Sequence, residues 1–490
     1  MATAARRELL TADQREVVRD VARYADSWVS LRARTQRIPG VQVAVAVAGD
    51  VLLSSSHGFA RLPGTDGDDD PGEELTTGHL FRIASHSKTF TATAVMQLVE
   101  AGRVRLDDRV EEHVPALSGS PIADRTLAEL LAHGGGVVRD SHDAGFWQLQ
   151  REFPDDDALV AACLDASDVL ERNEQFKYSN IGYGVLGLVI EAVSGRSYAE
   201  YATVEVVGRL GLRNTGPELD ATRSGEYATG YSSLAAYDRR LPIDPVDTRA
   251  LAAATGFWST AEDLCCYAAG HVLGDERLLS DASKRRMHRG EWDIEGTDDR
   301  YGLGFDIQTI GERRMIGHGG GFPGHITRTL LDPVDGLTVV VLTNAIDGPA
   351  RELAQGIVKL VDVALDAAKD PSSAGDVEGA ADRASYTGRF GALWGVTDVV
   401  DLGGRLRLVQ PNQADPTVAM AKLDVVDADT LRIAEASGYS SPGEQIRYLR
   451  NDGLIAKVVV GGMAAVPIEE HVNVVRGLDR ISLGGRHTSG

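Results

Sequence analysis

The stretch Leu80-Phe81-Arg82-Ile83-Ala84-Ser85-His86-Ser87-Lys88-Thr89-Phe90 places an S-x-x-K motif at the opening of a helical pattern that runs from Ser87 to Val99. The run Leu80 to Ala84 ahead of it reads as a strand, so the chain passes from strand to amphipathic helix at Ser85. Residues three apart share one face of a helix, which brings the Lys88 amine within reach of the Ser85 hydroxyl, and the helix N-terminus adds positive potential. A serine alone is a poor nucleophile, and a lysine serves as its base only where desolvation or nearby cations lower its pKa. Taken alone, the motif recurs by chance in a chain of 490 residues, where it usually marks polar residues on a helix surface.

Two further elements raise its weight. Tyr178-Ser179-Asn180 precedes a long helical pattern from Ile181 to Ala202. A tyrosine there is placed to relay a proton between nucleophile and leaving group, and the asparagine to orient substrate. His318-Gly319-Gly320-Gly321 separates the strand Arg314 to Gly317 from the segment leading to Leu331. Glycines allow close approach to the backbone, and the N–H groups freed there complete an oxyanion hole with the N–H of Ser85.

With these residues in view, the chain resembles the serine β-lactamase and penicillin-binding-protein-like superfamily. More narrowly it resembles the branch of D-stereospecific peptidases, family VIII esterases and penicillin-binding-protein-type thioesterases. The likeness runs from about Arg37 to Asn344 and is carried by Ile38-Pro39-Gly40, Leu80 to Phe90, Phe176 to Gly182 (FKYSNIG), Gly256 to Leu264 (GFWSTAEDL) and Gly317 to Gly324 (GHGGGFPG). Tyr386-Thr387-Gly388-Arg389-Phe390 and the β-rich remainder resemble the lipocalin-like domain that some members append.

The resemblance implies Ser85 as the nucleophile that forms an acyl-enzyme, Lys88 as its base, Tyr178 as proton relay and Asn180 as substrate orienter. His318-Gly319-Gly320 is implied as the third motif, with the backbone N–H groups of Ser85 and Gly321 as the oxyanion hole. The chain departs from β-lactamases in carrying His318 where they have the lysine of K-T-G. A histidine with pKa ~6.5 is mostly neutral at pH 7, so recognition of a substrate carboxylate is weakened, and esters, amides, thioesters and peptides rank above β-lactams.

Around the motifs, a helix pattern covers residues 14 to 34, Val41, Val43, Val45 and Val47 alternate as a strand, and Val51 to Ser54 reads as its hairpin partner. Helical patterns then dominate, including Leu127 to Ala132 and Asp157 to Ala166, and Ser259 to Glu262 reads as a capping box. Alternation returns at Tyr301 to Gln308, Leu337 to Thr343 is a buried strand, and a helix with Pro349 in its first turn ends near Ala368. Lys369 to Arg383 has linker composition, and beyond it lie short strands such as Leu406 to Val409, Leu423 to Val426, Leu431 to Ala434, Ile446 to Leu449 and Leu454 to Val460.

The expectation is an α/β (α+β) domain over 1–368, with an antiparallel sheet flanked by helices plus an all-α subdomain, a linker over 369–384, and a lipocalin-like all-β barrel over 385–490. Val41 to Ser54 would share the sheet with strands after residue 300. The β domain is left to cover or extend the cleft or to mediate oligomers, so a homo-oligomer stays open.

Composition narrows the partners. Apolar residues make up 43% and charged residues 25%, as in soluble globular proteins, with Gly in excess at 54 copies. A net charge of -22 repels phosphate backbones and anionic membranes, which argues against nucleic acid and membrane partners and leaves a small molecule or peptide as substrate. No run of 18 apolar residues occurs, and charges interrupt Met1 to Arg19, so the chain reads as cytoplasmic. Cys163, Cys265 and Cys266 cannot build a disulfide framework or a four-thiolate site, no metal-ligand spacing appears, and no cofactor is implied.

Weaker motifs have ordinary readings. Gly182-Tyr183-Gly184-Val185-Leu186-Gly187 matches G-x-G-x-x-G but sits in a helical pattern and follows no strand, so helix packing explains it better than a dinucleotide. His133-Gly134-Gly135-Gly136 reads as a helix end bordering the cleft, His86 as packing, and His325 as a candidate for lining the cleft. Asp66 to Glu74 is a solvated loop without EF-hand spacing. An α/β-hydrolase would need G-x-S-x-G, and the nearest stretch, Gly438-Tyr439-Ser440-Ser441-Pro442, lacks the last glycine.

The functional expectation is a serine hydrolase or acyltransferase of D-aminopeptidase, D-peptidase or esterase type. The rivals are a thioesterase that cyclises a nonribosomal peptide and, in another class, a non-catalytic scaffold that keeps the fold. Against the scaffold, no required side chain is missing.

Overall fold

A computed structural model describes residues 9–67, 69–165, 167–235, 237–369, 382–437, 441–476, 478 and 481. Most of the linker read at 369–384, the acid Asp68 and the near-miss Gly438-Tyr439-Ser440 lie outside the described residues. The chain divides into two compact units, one made of Met1–Arg15 and Ala33–Val358, the other of Glu16–Arg32 and Lys359–Gly490.

The first unit is built on a nine-stranded sheet whose named pairings are all antiparallel. Its long strands are β1 (Gly40–Val47), β2 (Asp50–Arg61), β3 (Asp306–Ile310), β4 (Arg313–Phe322), β5 (His325–Leu331) and β6 (Leu337–Thr343). The order runs from Glu73–Glu74 through β2, β1, β6, β5, β4 and β3 to the two-residue strands Arg300–Tyr301 and Trp292–Asp293. Sequence-distant segments therefore meet at its centre, with Val43 opposite Val341. All eight residues of β1 and all seven of β6 are buried, so their β-branched side chains pack on both faces.

Helix α1 (Ala12–Thr35) precedes the sheet, and α2 (Ser87–Glu100) and α3 (Asn180–Ser194) are the main helices of the inserted α-rich part. Helix α4 (Ala261–Ala269) packs against β1 and β6, and α5 (Ala350–Ala368) follows the last strand of the sheet. One continuous core joins sheet and helices, through Val340 and Leu342 of β6, Phe90 and Val95 of α2, and Ile181 and Val185 of α3.

Several elements differ locally from the reading of the sequence. The pattern from Ile181 to Ala202 is two helices, because α3 ends at Gly195 in a left-handed conformation (φ +72°) and Ser197 caps a new helix at Tyr198. The cap near residue 260 is Thr260, which accepts from the N–H of Asp263, one residue later than the box expected at Ser259. The run before Ser85 is a strand only at Phe81–Arg82, paired with Trp258–Ser259. Helix α2 is not amphipathic, being buried on every side from Ser87 to Leu98. His318 to Gly321 lies inside β4 rather than separating two segments.

The second unit contains a closed barrel of eight strands: β7 (Gly388–Ala392), β8 (Gly395–Leu402), β9 (Arg405–Val409), β10 (Ala421–Asp427), β11 (Thr430–Glu435), β12 (Gln445–Asn451), β13 (Leu454–Val460) and β14 (Met463–Pro467). Closure pairs Phe390 with Pro467, which leaves no open edge. Alternate side chains, among them Phe390, Leu406, Leu423, Leu431, Ile446 and Val458, fill the interior. Buried Asp398 accepts from Arg389 Nε at 2.8 Å and from the hydroxyl of Tyr24 at 3.1 Å, which ties the α1 portion of this unit to β7 and β8. Among the described residues no helix is long and apolar enough to cross a membrane.

Candidate active site

Ser85 lies in the single turn Ala84–His86 that leads into α2, and Ala84 before it has φ +50°, a left-handed conformation costly for a residue with a Cβ. The Ser87 hydroxyl pins this turn by donating to the Ala84 carbonyl at 2.6 Å and accepting from the Phe257 N–H at 3.0 Å. One helical turn on, Lys88 is fully buried, with Nζ 3.3 Å from Ser85 Oγ. The amine donates to Asn180 Oδ1 at 2.6 Å and to the Ala254 carbonyl at 2.9 Å. Tyr178, just before α3, donates its hydroxyl to Ser85 Oγ at 2.8 Å, and its ring lies 4.7 Å from Lys88 Nζ.

Burial pushes the Lys88 amine well below the ordinary lysine range, with Arg139 acting in the same direction and Asp140 and Asp306 opposing. Burial raises the Tyr178 phenol, so it stays protonated. The arrangement therefore sets a lysine amine whose charged form burial disfavours, and a phenol that keeps its proton, on either side of one serine oxygen, which suits proton removal and proton return at that oxygen.

The third motif lines the same region. The Gly319 N–H helps hold down the pKa of the Asp306 carboxyl, which places that N–H on the side away from β5. Alternate strand residues point their N–H groups to the same edge, so Gly321 does likewise. Strand β3 pairs with β4 only from Arg313 to Gly317, so on that side His318–Phe322 has no strand partner among the described residues. The Ser85 turn packs on β4, and Gly320 faces the Ile83 carbonyl. His318 is buried, with Nε2 3.1 Å from the Tyr301 hydroxyl and Nδ1 2.6 Å from the Gly319 carbonyl. Burial lowers its pKa, against an opposing pull from Asp306.

The structure thus gathers Ser85, Lys88, Tyr178 and Asn180 into one hydrogen-bonded cluster, with His318 6.5 Å from the Tyr178 ring, centroid to centroid. His133 follows a short helix as expected, and its buried ring lies 4.3 Å from that of Tyr178, while Nδ1 accepts from the Ser179 N–H. His86 is a packing residue bonded to Ile83 and Thr329. His325 is buried edge-on to Phe81 and makes no hydrogen bond to this cluster. Gly182 to Gly187 lies within α3.

Sequence reasoning missed Asp140, Asp306, Arg328, Tyr301 and the Ala254 carbonyl. Asp140 is buried and accepts at Oδ1 from Asn180 Nδ2 at 2.6 Å and from Trp147 Nε1 at 2.9 Å. Asp306 pairs with Arg328 at 2.8 Å. None of these stands in a local motif, and a backbone carbonyl has no residue signature.

A nine-stranded antiparallel sheet with an inserted helical part, and a serine, lysine and tyrosine grouped against one of its strands, define the serine β-lactamase-fold hydrolases. The chain belongs to the Beta-lactamase family, which it matches over residues 18–362. It is similar to penicillin-binding protein 4* of Bacillus subtilis (strain 168), at 29% identity over 62% of this chain and 67% of the relative. Its fold is similar to that of the octameric penicillin-binding protein homologue from Pyrococcus abyssi, with a TM-score of 0.61 at 21% identity over 91% of this chain and 99% of the other. A D-stereospecific amidohydrolase from a Streptomyces species superposes with a TM-score of 0.56 at 23% identity, over 66% of this chain and 94% of the other.

Proposed function

We propose that the protein is a serine hydrolase or acyltransferase that forms an acyl-enzyme on Ser85 with peptide, amide or ester substrates. The observation that carries this reading is the hydrogen-bond inventory of Lys88. A neutral amine has two N–H groups, and here Asn180 Oδ1 and the Ala254 carbonyl accept both. With the amine neutral, as burial favours, its remaining tetrahedral position, the lone pair, faces the Ser85 oxygen at 3.3 Å.

In this scheme Ser85 Oγ attacks the carbonyl carbon as its proton passes to Lys88. The oxyanion is held by the N–H groups of Ser85 and Gly321, each worth on the order of 3 kcal/mol. Tyr178 gives its proton to the leaving group, and water or an amine then resolves the acyl-enzyme while the proton on Lys88 restores the phenol. A neutral His318 offers a substrate carboxylate less than a lysine would, which favours amides and esters over β-lactams. The D-stereospecific amidohydrolase neighbour supports a D-configured substrate, and the octameric homologue supports self-association of this chain.

The test is intact-mass analysis of wild type and Ser85→Ala after incubation with a fluorophosphonate. A single adduct on wild type and none on the variant is expected. No adduct on either protein overturns the reading in favour of a binding protein that keeps the fold.

A further inference from the structure

We infer that Asp140 is a positioning residue that fixes the Asn180 side-chain amide with its oxygen toward Lys88, and so keeps the lysine lone pair free for Ser85. The inference rests on the reading of Lys88 as base given above. An asparagine amide has an acceptor end and a donor end, and nothing in its shape chooses between them. In this site the two ends face different partners. One faces Lys88 Nζ at 2.6 Å, the other Asp140 Oδ1 at 2.6 Å.

An ionised carboxylate only accepts, so the end facing Asp140 must be Nδ2 and the end facing Lys88 must be Oδ1. Were the amide reversed, Nδ2 would donate to the lysine lone pair, the electron pair that has to take the Ser85 proton. The same reversal would set two oxygens against each other at Asp140. Asp140 thus sets the hydrogen-bond pattern of the base without touching the serine.

The carboxylate is itself held in place. Trp147 Nε1 donates to the same Oδ1 at 2.9 Å, and Arg139 Nε lies 3.1 Å from Oδ2. Asp140 is buried while Arg139 reaches solvent, so the pair places a fixed negative charge inside and its counter-charge outside. The backbone supports the same geometry, because the Arg139 carbonyl accepts the N–H of Asn180 at 2.8 Å.

The experiment measures the rate of Ser85 phosphonylation by a fluorophosphonate, across pH, in wild type, Asp140→Ala, Asp140→Asn, Asn180→Ala and the Asp140→Ala/Asn180→Ala double variant. Asp140→Ala and Asn180→Ala should each slow labelling by up to about 100-fold, the scale of a misplaced catalytic group. The double variant should be no slower than Asn180→Ala, because Asp140 acts through that amide. Asp140→Asn keeps a side-chain oxygen for Nδ2 but removes the charge that supports protonated Lys88, so its labelling should rise at lower pH than that of wild type. Additive losses in the double variant, or wild-type rate and pH dependence in both Asp140 variants, overturn the inference while the serine-hydrolase reading stands. Failure of wild type itself to label at Ser85 overturns both.

Discussion

Gly320 lies so close to the Ile83 carbonyl that a Cβ at residue 320 would stand 2.2 Å from that oxygen and 2.3 Å from Thr327 Oγ1. Ile83 is two residues before Ser85, so this approach sets how near the serine turn sits to β4. Gly320→Ala should therefore cost about 1–3 kcal/mol through forced backbone movement. At Gly321 the nearest atom to an added Cβ is Ile326 Cδ1 at 3.6 Å, ordinary contact, and Gly321→Ala should stay within about 0.5 kcal/mol of wild type. Urea melts of the two variants side by side read the difference, and equal midpoints would contradict it.

Tyr178→Phe keeps the ring beside Lys88 and removes only the hydroxyl that meets Ser85. A lost proton donor slows turnover by roughly 10²–10⁴-fold, but only where the leaving group needs the proton. The loss should be large for an amide and small for an activated aryl ester, whose leaving group departs as an anion. Paired assays on the two substrates decide it, and equal losses would remove Tyr178 from leaving-group protonation.

A lysine base works as the free amine, so kcat/KM should rise with pH through the pKa of Lys88 and level off above it. Burial places that rise well below the ~10.4 of an ordinary lysine. Arg139 pushes in the same direction as burial, so Arg139→Gln should move the rising limb to higher pH. The shift should be modest because the Arg139 side chain is 62% exposed and water screens its charge. A pH–rate profile of the variant that moves to lower pH would reverse the assigned sign.

Much of this was legible where chemistry is written locally. S-x-x-K fixes a spacing of one helical turn, and the contact between Lys88 and Ser85 follows from helix geometry alone. Val41 to Val47 announces a strand by its alternating valines, though not that every residue of it is buried, and Leu337 to Thr343 announces a buried strand by its β-branched run. The glycines of His318–Gly321 looked like a break because glycine weakens a strand, yet pairing with β5 carries the strand through them. Helix α2 was expected to be amphipathic, but its threonines lie inside. They are buried because Thr93 donates to the Thr89 carbonyl at 2.8 Å and Thr91 to the Ala253 carbonyl at 2.6 Å. Asp140 and Asp306 were missed because what defines them is a partner 40 or 22 residues away, which no local period encodes.

Arg328 tests how that hidden charge is held. It is buried, with Nη1 2.8 Å from Asp306 Oδ2, and the Gly319 N–H of the third motif also helps to hold that carboxyl's pKa down. Burial alone would raise the Asp306 pKa, but His318 and Arg328 outweigh it and hold the carboxyl below its usual value. In wild type its contribution to stability is therefore present above ~3.9, the unfolded value, and is lost as pH falls through the lower folded value. Arg328→Met removes the cation and leaves the carboxylate buried, at a cost of about 3–5 kcal/mol near neutral pH. Without Arg328, only His318 of these two cations is left to offset burial, and because burial lowers the His318 pKa too, that ring loses its charge above it. The Asp306 pKa should therefore rise above its unfolded value, so the sign reverses. The deficit of the variant should then shrink as pH falls through that raised pKa, because the neutral acid is what burial tolerates. Urea melts of wild type and Arg328→Met at pH 8 and at pH 5 read this directly, at conditions chosen as roughly either side of a raised carboxyl pKa. A deficit of equal size at both would mean that lost packing, not an uncompensated charge, is what the arginine prevents.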